Sequence, residues 1–215
     1  MSQWLRADCS NSPPDSPMPF PPGWMPFAMK ICLLSDSHDH IPLLDAAVAA
    51  AKALGAEAVL HCGDLVAPST LRCLEKYGLP VHMIHGNNTG DMFTLGRLAA
   101  DPGSVVEYHG MDAGIEIGGR RIFLVHYPHY ARAMAATGDW DLVCCGHSHL
   151  PTQQWLPHLK GGRTLLLNPG TGGGVGHAPA TWFLVDLETL ECEAHELDKT
   201  LERGAQAIKA TGTQP

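Results

Sequence analysis

The sequence has no apolar run long enough to cross a membrane, and it has few positive charges. A membrane-spanning helix needs about 18 or more consecutive apolar residues, and every apolar stretch here is interrupted well short of that by Asp, His, Gly or Pro. Lysine and arginine number 14 against 22 aspartates and glutamates, for a formal net charge of -8. Nucleic-acid backbones are bound by clustered Lys and Arg. We therefore expect no membrane association and no nucleic-acid-binding face.

A C-x-x-C pair is also absent. The seven cysteines are odd in number and lie mostly inside apolar runs, which argues against a disulfide framework or a zinc finger. Buried, reduced thiols are typical of a cytoplasmic protein, and the N-terminus lacks the continuous apolar core of a secretory signal. The sequence thus predicts a cytoplasmic location.

Proline is concentrated at the N-terminus. Residues 1–28 hold seven of the 17 prolines, so this segment is predicted to be a disordered tail or a mis-called start upstream of Met29. At roughly 150 residues per domain, the remainder predicts one domain over residues 29–198. Residues 199–215 are predicted to be a C-terminal tail that begins with a brief helix.

From Lys30 onward, short apolar runs alternate with helix-like segments, a pattern typical of β-α units. Strands are predicted at 31–34, 58–61 and 81–85, and helices after Pro42 and at 68–77 and 91–100. From Val105 the pattern changes to strand-like segments at 105–108, 113–117 and 120–125 with Gly-rich turns, which predicts a meander or second sheet. A helix is predicted near 130–136 and a further strand at 141–145. The predicted fold class is α/β (α+β), with two packed sheets flanked by helices.

Histidine is the residue in excess, at 13 per chain. Polar side chains with oxygen or imidazole donors follow five of the predicted strands, where open α/β sheets bind ligands. They are Asp36, His38, Asp64, Asn87, His126, His147 and His149.

Any one of these residues has an ordinary structural explanation, such as a turn aspartate or a helix cap. Their convergence on one rim indicates a metal site instead. Seven donors exceed the needs of one ion that also binds water and substrate, so two ions that share a carboxylate are predicted. Mixed imidazole, carboxylate and amide donors suit Mn, Fe or Zn better than calcium, and the scarcity of thiolates favours a catalytic over a structural site.

These motifs, Asp36-x-His38, Gly63-Asp64, Gly86-Asn87, His126 and Gly146-His147-x-His149, resemble in this order the calcineurin-like metallophosphoesterase superfamily. The short length and Asn168-Pro169-Gly170-Thr171 are similar to its small YfcE-type phosphodiesterase branch. The resemblance implies a four-layer α-β-β-α sandwich with two mixed sheets and a di-metal centre. It implies that Asp36, His38, Asp64 and His149 hold one ion, and that Asp64, Asn87, His126 and His147 hold the other, with Asp64 bridging.

The resemblance also implies an activity. The expected function is hydrolysis of phosphodiester bonds, with phosphomonoesters as a further substrate class, by a hydroxide that bridges the two ions. Asp64, Asn87 and His126 are the expected catalytic residues. Manganese is the preferred ion, with Zn, Fe, Ni or Mg as alternatives. A small phosphorylated molecule is the expected substrate, and a homo-oligomer is left open.

The sequence departs from the wider superfamily after Asn87, where many members have a histidine that assists the leaving oxygen. Here Asn88 can donate a hydrogen bond but no proton. We therefore expect phosphodiesters with good leaving groups to react better than unactivated monoesters, with His85, His129 or Asp91 as candidate substitute acids. Asn88 and His85 are the expected substrate-binding residues, and His85 stands where branch members often carry arginine.

Three further expectations follow. The glycine-rich segment 170–176 lacks the Lys-Ser/Thr ending of a nucleotide-binding P-loop and is predicted to be a flexible loop near the site. Tyr127 and Tyr130 are expected either to lie near the substrate or to pack in the structure. The alternatives are a non-catalytic metal-binding scaffold for protein partners, similar to the retromer subunit of the same superfamily, and an enzyme acting on phosphoproteins or dinucleoside polyphosphates.

Overall fold

A computed structural model describes residues 29–200. The predicted tail at 1–28 and nearly all of the predicted C-terminal tail lie outside the described residues. The elements in chain order are β1 (Lys30–Leu34), α1 (Ile41–Ala53), β2 (Ala56–His61), α2 (Pro68–Glu75), β3 (Val81–Met83), α3 (Met92–Ala99), β4 (Val106–Tyr108), β5 (Asp112–Ile117), β6 (Arg120–Val125), α4 (Pro128–Thr137), β7 (Leu142–Cys144), β8 (Thr152–Pro157), β9 (Arg163–Asn168), β10 (Ala180–Asp186) and β11 (Cys192–Leu197).

These strands form two mixed sheets. The first has the order β11-β10-β1-β2-β3-β4, and the second has the order β5-β6-β7-β9-β8. Strands β1 to β4 run parallel to one another, as do β6, β7 and β9, while β10 and β11 in one sheet and β5 and β8 in the other pair antiparallel to their neighbours. The predicted pair of mixed sheets is confirmed.

Three separate apolar cores show that the sheets and helices form four layers. Alternate residues of β1 face opposite sides of its sheet: Cys32 and Leu34 pack with helices α1 to α3, whereas Ile31 and Leu33 pack against the second sheet. A third core joins α4 to the outer face of the second sheet. Because β1 is buried on both faces, it appears in the sequence as an uninterrupted apolar run.

Local signals explain most of the helix bounds. Pro42 lies in the first turn of α1, where a missing N–H costs nothing. Helix α4 begins at Pro128, earlier than predicted, for the same reason, and it ends where Gly138 adopts a φ of 75°.

The segment 105–108 was wrongly assigned to the second group of strands. Its strand, β4, pairs in parallel with β3 at the edge of the first sheet, and the second sheet begins with the β5–β6 hairpin. The sequence after α3 offers no signal for this, because a three-residue strand carries little pattern and its partner lies across a helix.

No helix within residues 29–200 is long and apolar enough to cross a membrane.

Candidate metal centre

The fold brings all seven predicted donor residues to one end of the two packed sheets, where β1, β2 and β3 of the first sheet and β6 and β7 of the second end. Asp36, Asp64 and His126 form a buried floor, each exposing at most 2 % of its surface. Asn87 and His147 are exposed above them. The site is thus a cup: its floor is buried and contains two carboxylates, and its opening faces solvent.

Asp36 lies beside two imidazoles. Its Oδ1 is 3.2 Å from His149 Nε2 and 3.8 Å from His38 Nε2. Asp36 Oδ1 and His38 Nε2 are buried, yet neither has a hydrogen-bond partner. Buried polar atoms normally have partners, so this cluster fits a cation that both atoms could bind.

Asp64 stands between the two halves of the site. Its Oδ2 is 3.6 Å from His38 Nε2, and its Oδ1 is 3.5 Å from His126 Nε2. The two oxygens of one carboxylate thus face two different imidazoles, which is the placement that a bridging ligand needs.

The second half of the site converges on the side-chain oxygen of Asn87. Its Oδ1 is 2.7 Å from His147 Nδ1 and 2.9 Å from His126 Nε2. On its other side, the ring of His126 contacts the carbonyl oxygen of Cys62 through Nδ1 at 2.8 Å. Because a carbonyl oxygen only accepts hydrogen bonds, His126 Nδ1 must carry a proton. In the neutral ring, Nε2 is then unprotonated, and its lone pair faces Asn87 and Asp64. Lone pairs that converge in this way fit a cation.

Asn88 supports Asp64 directly. Its backbone N–H donates to Asp64 Oδ1 at 2.8 Å, and its side-chain amide donates to Oδ2 at 2.6 Å. Partial burial opposes ionisation of Asp64, but these hydrogen bonds and the imidazoles of His126 and His38 lower the pKa of its carboxyl below the usual value. Asp64 is therefore ionised at neutral pH, as a metal ligand must be.

The backbone is strained at five of the predicted ligands. The φ angles are 52° at Asp36, 44° at His38, 56° at Asp64, 68° at His147 and 57° at His149. Each such residue costs of the order of 1–3 kcal/mol unless its surroundings enforce the conformation, and such strain concentrates at functional sites. Sequence reasoning missed this feature, although Asp and His tolerate the left-handed region better than most residues.

Two glycines let the ligand loops approach one another. A Cβ on Gly86 would collide with Asp64 Oδ1 and lie 2.7 Å from the His126 ring, and a Cβ on Gly146 would collide with Ser35 Oγ and lie 2.5 Å from Asp36 Oδ2. Only glycine allows these close approaches.

Residues beneath the cup hold the ligand loops in place. Ser37 Oγ is 3.1 Å from Nε2 of His61, which is fully buried; that burial lowers the pKa of His61 to about 4. Thr171 donates to the backbone oxygen of Asp36, and Asn168 donates to that of Gly146.

The glycine-rich segment that begins at Gly170 is not a free loop. Residues 170–174 are buried, and Gly172 and Gly173 donate backbone hydrogen bonds to Ser35 and Asp36. The expectation of a flexible loop is wrong for these residues, which form a fixed support for the first ligand loop.

The remaining predicted residues differ in their surroundings. His85 contacts Tyr108 Oη through Nδ1 at 2.5 Å, and its partial burial, together with His126, lowers its pKa below the usual value. Asp91 caps helix α3 by accepting from the N–H and the hydroxyl of Thr94, and these bonds lower the pKa of its carboxyl. A carboxyl that stays ionised in this way is a poor proton donor, so the structure argues against Asp91 as the substitute acid.

An apolar cleft of about 320 Å³ adjoins the second half of the cup. His85, Gly86 and His126 line its side toward the predicted ligands. Its other walls are formed by Met111, Asp112, Phe123, Val125, Tyr127, Tyr130, Ala133 and Met134. Tyr127 and Tyr130 thus lie at the cleft rather than in the core, and a planar or apolar group beside the cup would contact them.

Comparison with known proteins identifies the family. The model of the calcineurin-like phosphoesterase superfamily domain matches residues 29–190. Phosphodiesterase MJ0936 of Methanocaldococcus jannaschii is 28% identical over 167 residues, which are 76% of this chain and 96% of that protein.

Solved structures give the same result. The structure of an archaeal phosphodiesterase matches with a TM-score of 0.71 and 25% identity over 79% of this chain and 100% of that one. The structure of YfcE, a phosphoesterase from E. coli, shares the fold with a TM-score of 0.55 and 17% identity over 79% and 100%. The predicted resemblance and the predicted fold are confirmed.

Proposed function

The chain belongs to the calcineurin-like phosphoesterase superfamily, and on that premise we propose that it hydrolyses phosphodiester bonds of small substrates with two divalent cations. Asp36, His38, Asp64 and His149 would hold one cation, and Asp64, Asn87, His126 and His147 the other. The observation that carries the proposal is the position of Asp64, whose two oxygens face His38 on one side and His126 on the other.

Two bound cations would supply the Lewis acidity that activates water and neutralises the charge developing on the phosphoryl group. The protein's own residues fix the donors. Asn88 holds both Asp64 oxygens, and the Cys62 carbonyl orients the His126 ring. Such supporting contacts are worth about 10–100-fold in metal affinity or activity.

Asn88 stands where a histidine could act as a general acid, and this favours substrates with good leaving groups. Asn88 has no proton to give, and Asp91 is engaged as a helix cap. His85 lines the apolar cleft next to His126 and is the proposed substrate-binding partner of Asn88. His129, an exposed residue whose ring centroid is 4.3 Å from that of Tyr130, and His85 are the proposed candidates for a proton donor.

The cleft supports a planar or apolar group on the substrate. Tyr127 and Tyr130 both line the cleft and make a T-shaped contact with each other, with ring centroids 6.0 Å apart. Aromatic groups gain from such contacts beyond their apolar burial. We propose a phosphodiester with an aromatic group on the leaving or retained side.

Manganese is the proposed ion, because imidazole, carboxylate and amide donors together suit it. The proposed location is the cytoplasm: among the described residues the cysteines form no disulfide, and five of the six are buried. The complete set of seven donors favours hydrolysis over the scaffold alternative, since a protein-binding scaffold has no need of them.

The test is turnover by Mn²⁺-loaded protein of bis-p-nitrophenyl phosphate against methyl phosphate, an alkyl monoester. We expect the diester to be strongly preferred and its hydrolysis to be lost in Asp64→Asn. The matched control is Asp101→Asn, which changes an exposed carboxylate away from the cup and should retain full activity. A strong preference for methyl phosphate would contradict the leaving-group argument, and no hydrolysis by folded, metal-loaded protein would contradict the proposed function.

A further inference from the structure

Two histidines and a glutamate that take no part in the candidate metal centre converge on the edge of the first sheet. His82 lies on β3, Glu107 pairs with it on β4, and His109 follows β4. His82 Nδ1 is 3.1 Å from His109 Nε2 and 3.4 Å from Glu107 Oε2, and the third side of this triangle, from His109 Nε2 to Glu107 Oε2, is 3.8 Å.

The dimensions of this triangle match a tetrahedral ion. Zinc binds imidazole nitrogen and carboxylate oxygen at about 2.0–2.2 Å, and at that length two ligands of a tetrahedron stand about 3.3–3.6 Å apart. The three measured separations span that value. One face of a zinc coordination sphere could therefore form with small side-chain movements.

The two strands hold the donors on one side of the sheet. Val81 and Met83 pack into the helix-side core, so His82 between them points to the opposite face. Glu107 lies directly across from His82, and His109 is two residues farther along, so all three share that face. The ladder continues past β4, since the N–H of His109 donates to Met83 and that of His85 to Gly110.

The cluster is accessible from solvent. The side chains of His82 and His109 are 15 % and 21 % exposed, and Glu107 is 68 % exposed. The fourth position of a tetrahedral ion would thus face water. Two imidazoles, one carboxylate and one water form a known kind of zinc site.

We propose that His82, Glu107 and His109 bind a divalent transition-metal ion, Zn²⁺ first among them, at a site separate from the proposed catalytic centre. Binding replaces the contact between the two ring nitrogens with two bonds to the ion. It also fastens the edge strand β4 to β3. Tyr108, between two of the ligands, contacts His85, so the ion would steady the strand that leads to the candidate centre.

The experiment is equilibrium dialysis of the full chain against chelator-buffered Zn²⁺, with bound zinc counted per chain. We expect His109→Gln to bind one ion fewer than wild type, because losing a ligand weakens this site by about 100-fold or more. The matched control is His195→Gln: His195 Nε2 also lies near a glutamate, Glu193, at 3.5 Å, but no third donor completes that pair among the described residues. It should bind as much zinc as wild type.

A second measurement uses only the wild-type protein and so does not depend on whether a variant folds. In wild-type protein with ¹⁵N-labelled histidine, Zn²⁺ should shift the ring nitrogens of His82 and His109 together. Equal zinc counts in His109→Gln and wild type, or ring nitrogens that Zn²⁺ leaves unchanged, would overturn the proposal. The zinc count does not depend on hydrolysis, so an inactive protein that passes both tests would still have this site.

Discussion

Gly86→Ala is a change of one methyl group that should disable the candidate centre. A Cβ at this position would collide with Asp64 Oδ1 and would stand 2.7 Å from two atoms of the His126 ring. Since ordinary contacts to Cβ begin at 3.4 Å, the ring would have to retreat by about 0.7 Å, and Asp64 by more. Both residues are buried and held by hydrogen bonds, so they have little room to move.

Misplacing a reacting group by about 1 Å costs roughly 100-fold in rate. We therefore expect kcat for bis-p-nitrophenyl phosphate to fall by about 100-fold, with Mn²⁺ bound more weakly. Overpacking should also lower the free energy of unfolding by about 1–3 kcal/mol. The assays are steady-state kinetics, a metal count and thermal unfolding.

The matched control is Gly103→Ala, where the nearest atom to a Cβ is Asp101 Oδ1 at 3.6 Å. This variant should keep the activity of the wild type. Wild-type kcat and metal content in Gly86→Ala would refute the claim that Asp64 and His126 form the reactive floor of the cup.

Three other predictions use different contacts. Asn88→Ala removes the amide that holds Asp64 Oδ2 and should lower diester turnover by about 10–100-fold; unchanged turnover and Mn²⁺ affinity would contradict that role. Tyr130→Ala, at a side chain 55% exposed, should raise KM for the aryl diester by about 2–10-fold with little effect on kcat, and an unchanged KM would place the substrate elsewhere. Asp45→Asn tests how stability depends on pH. Partial burial opposes ionisation of Asp45, but hydrogen bonds, the strongest of them from Lys76, lower the pKa of its carboxyl. Above roughly pH 4, the variant should be less stable than the wild type by up to about 1 kcal/mol in urea unfolding. This difference should vanish as the pH falls through the lowered pKa of Asp45. A difference that stays the same in acid would refute the role of the ionised carboxylate.

The fold could be predicted where local pattern and burial coincide. Strand β1 is apolar on both faces because it lies between two cores, and Pro42 and Gly55 mark the start and the end of helix α1. Strand β4 was misplaced because its three residues pair with β3 across an intervening helix. Which strand β4 pairs with depends on tertiary packing, which cannot be read from the local sequence.

The candidate site could be predicted because the parallel strands of each sheet have their carboxyl ends on the same side, so polar residues that follow neighbouring strands meet there. What could not be predicted was the detail that depends on contacts between distant loops. Asn88 donates to Asp64 from 24 residues away, and Ser37 meets His61 at the same separation. The cap at Asp91 was available in the sequence, since Thr follows it by three residues.

His82 and His109 show the same limit. They are 27 residues apart and were assigned no role from the sequence, yet parallel pairing of β3 with β4 brings their rings together. Donor residues on two short neighbouring strands give no signal until the register between the strands is known.

If Asp64 bridges two cations, anomalous X-ray scattering from crystals of the Mn²⁺-loaded protein will show both ions beside its carboxylate. We predict two anomalous peaks, one beside Asp36, His38 and His149 and one beside Asn87, His126 and His147, both within bonding distance of the Asp64 carboxylate. A single peak, or two peaks of which only one contacts Asp64, would contradict the account.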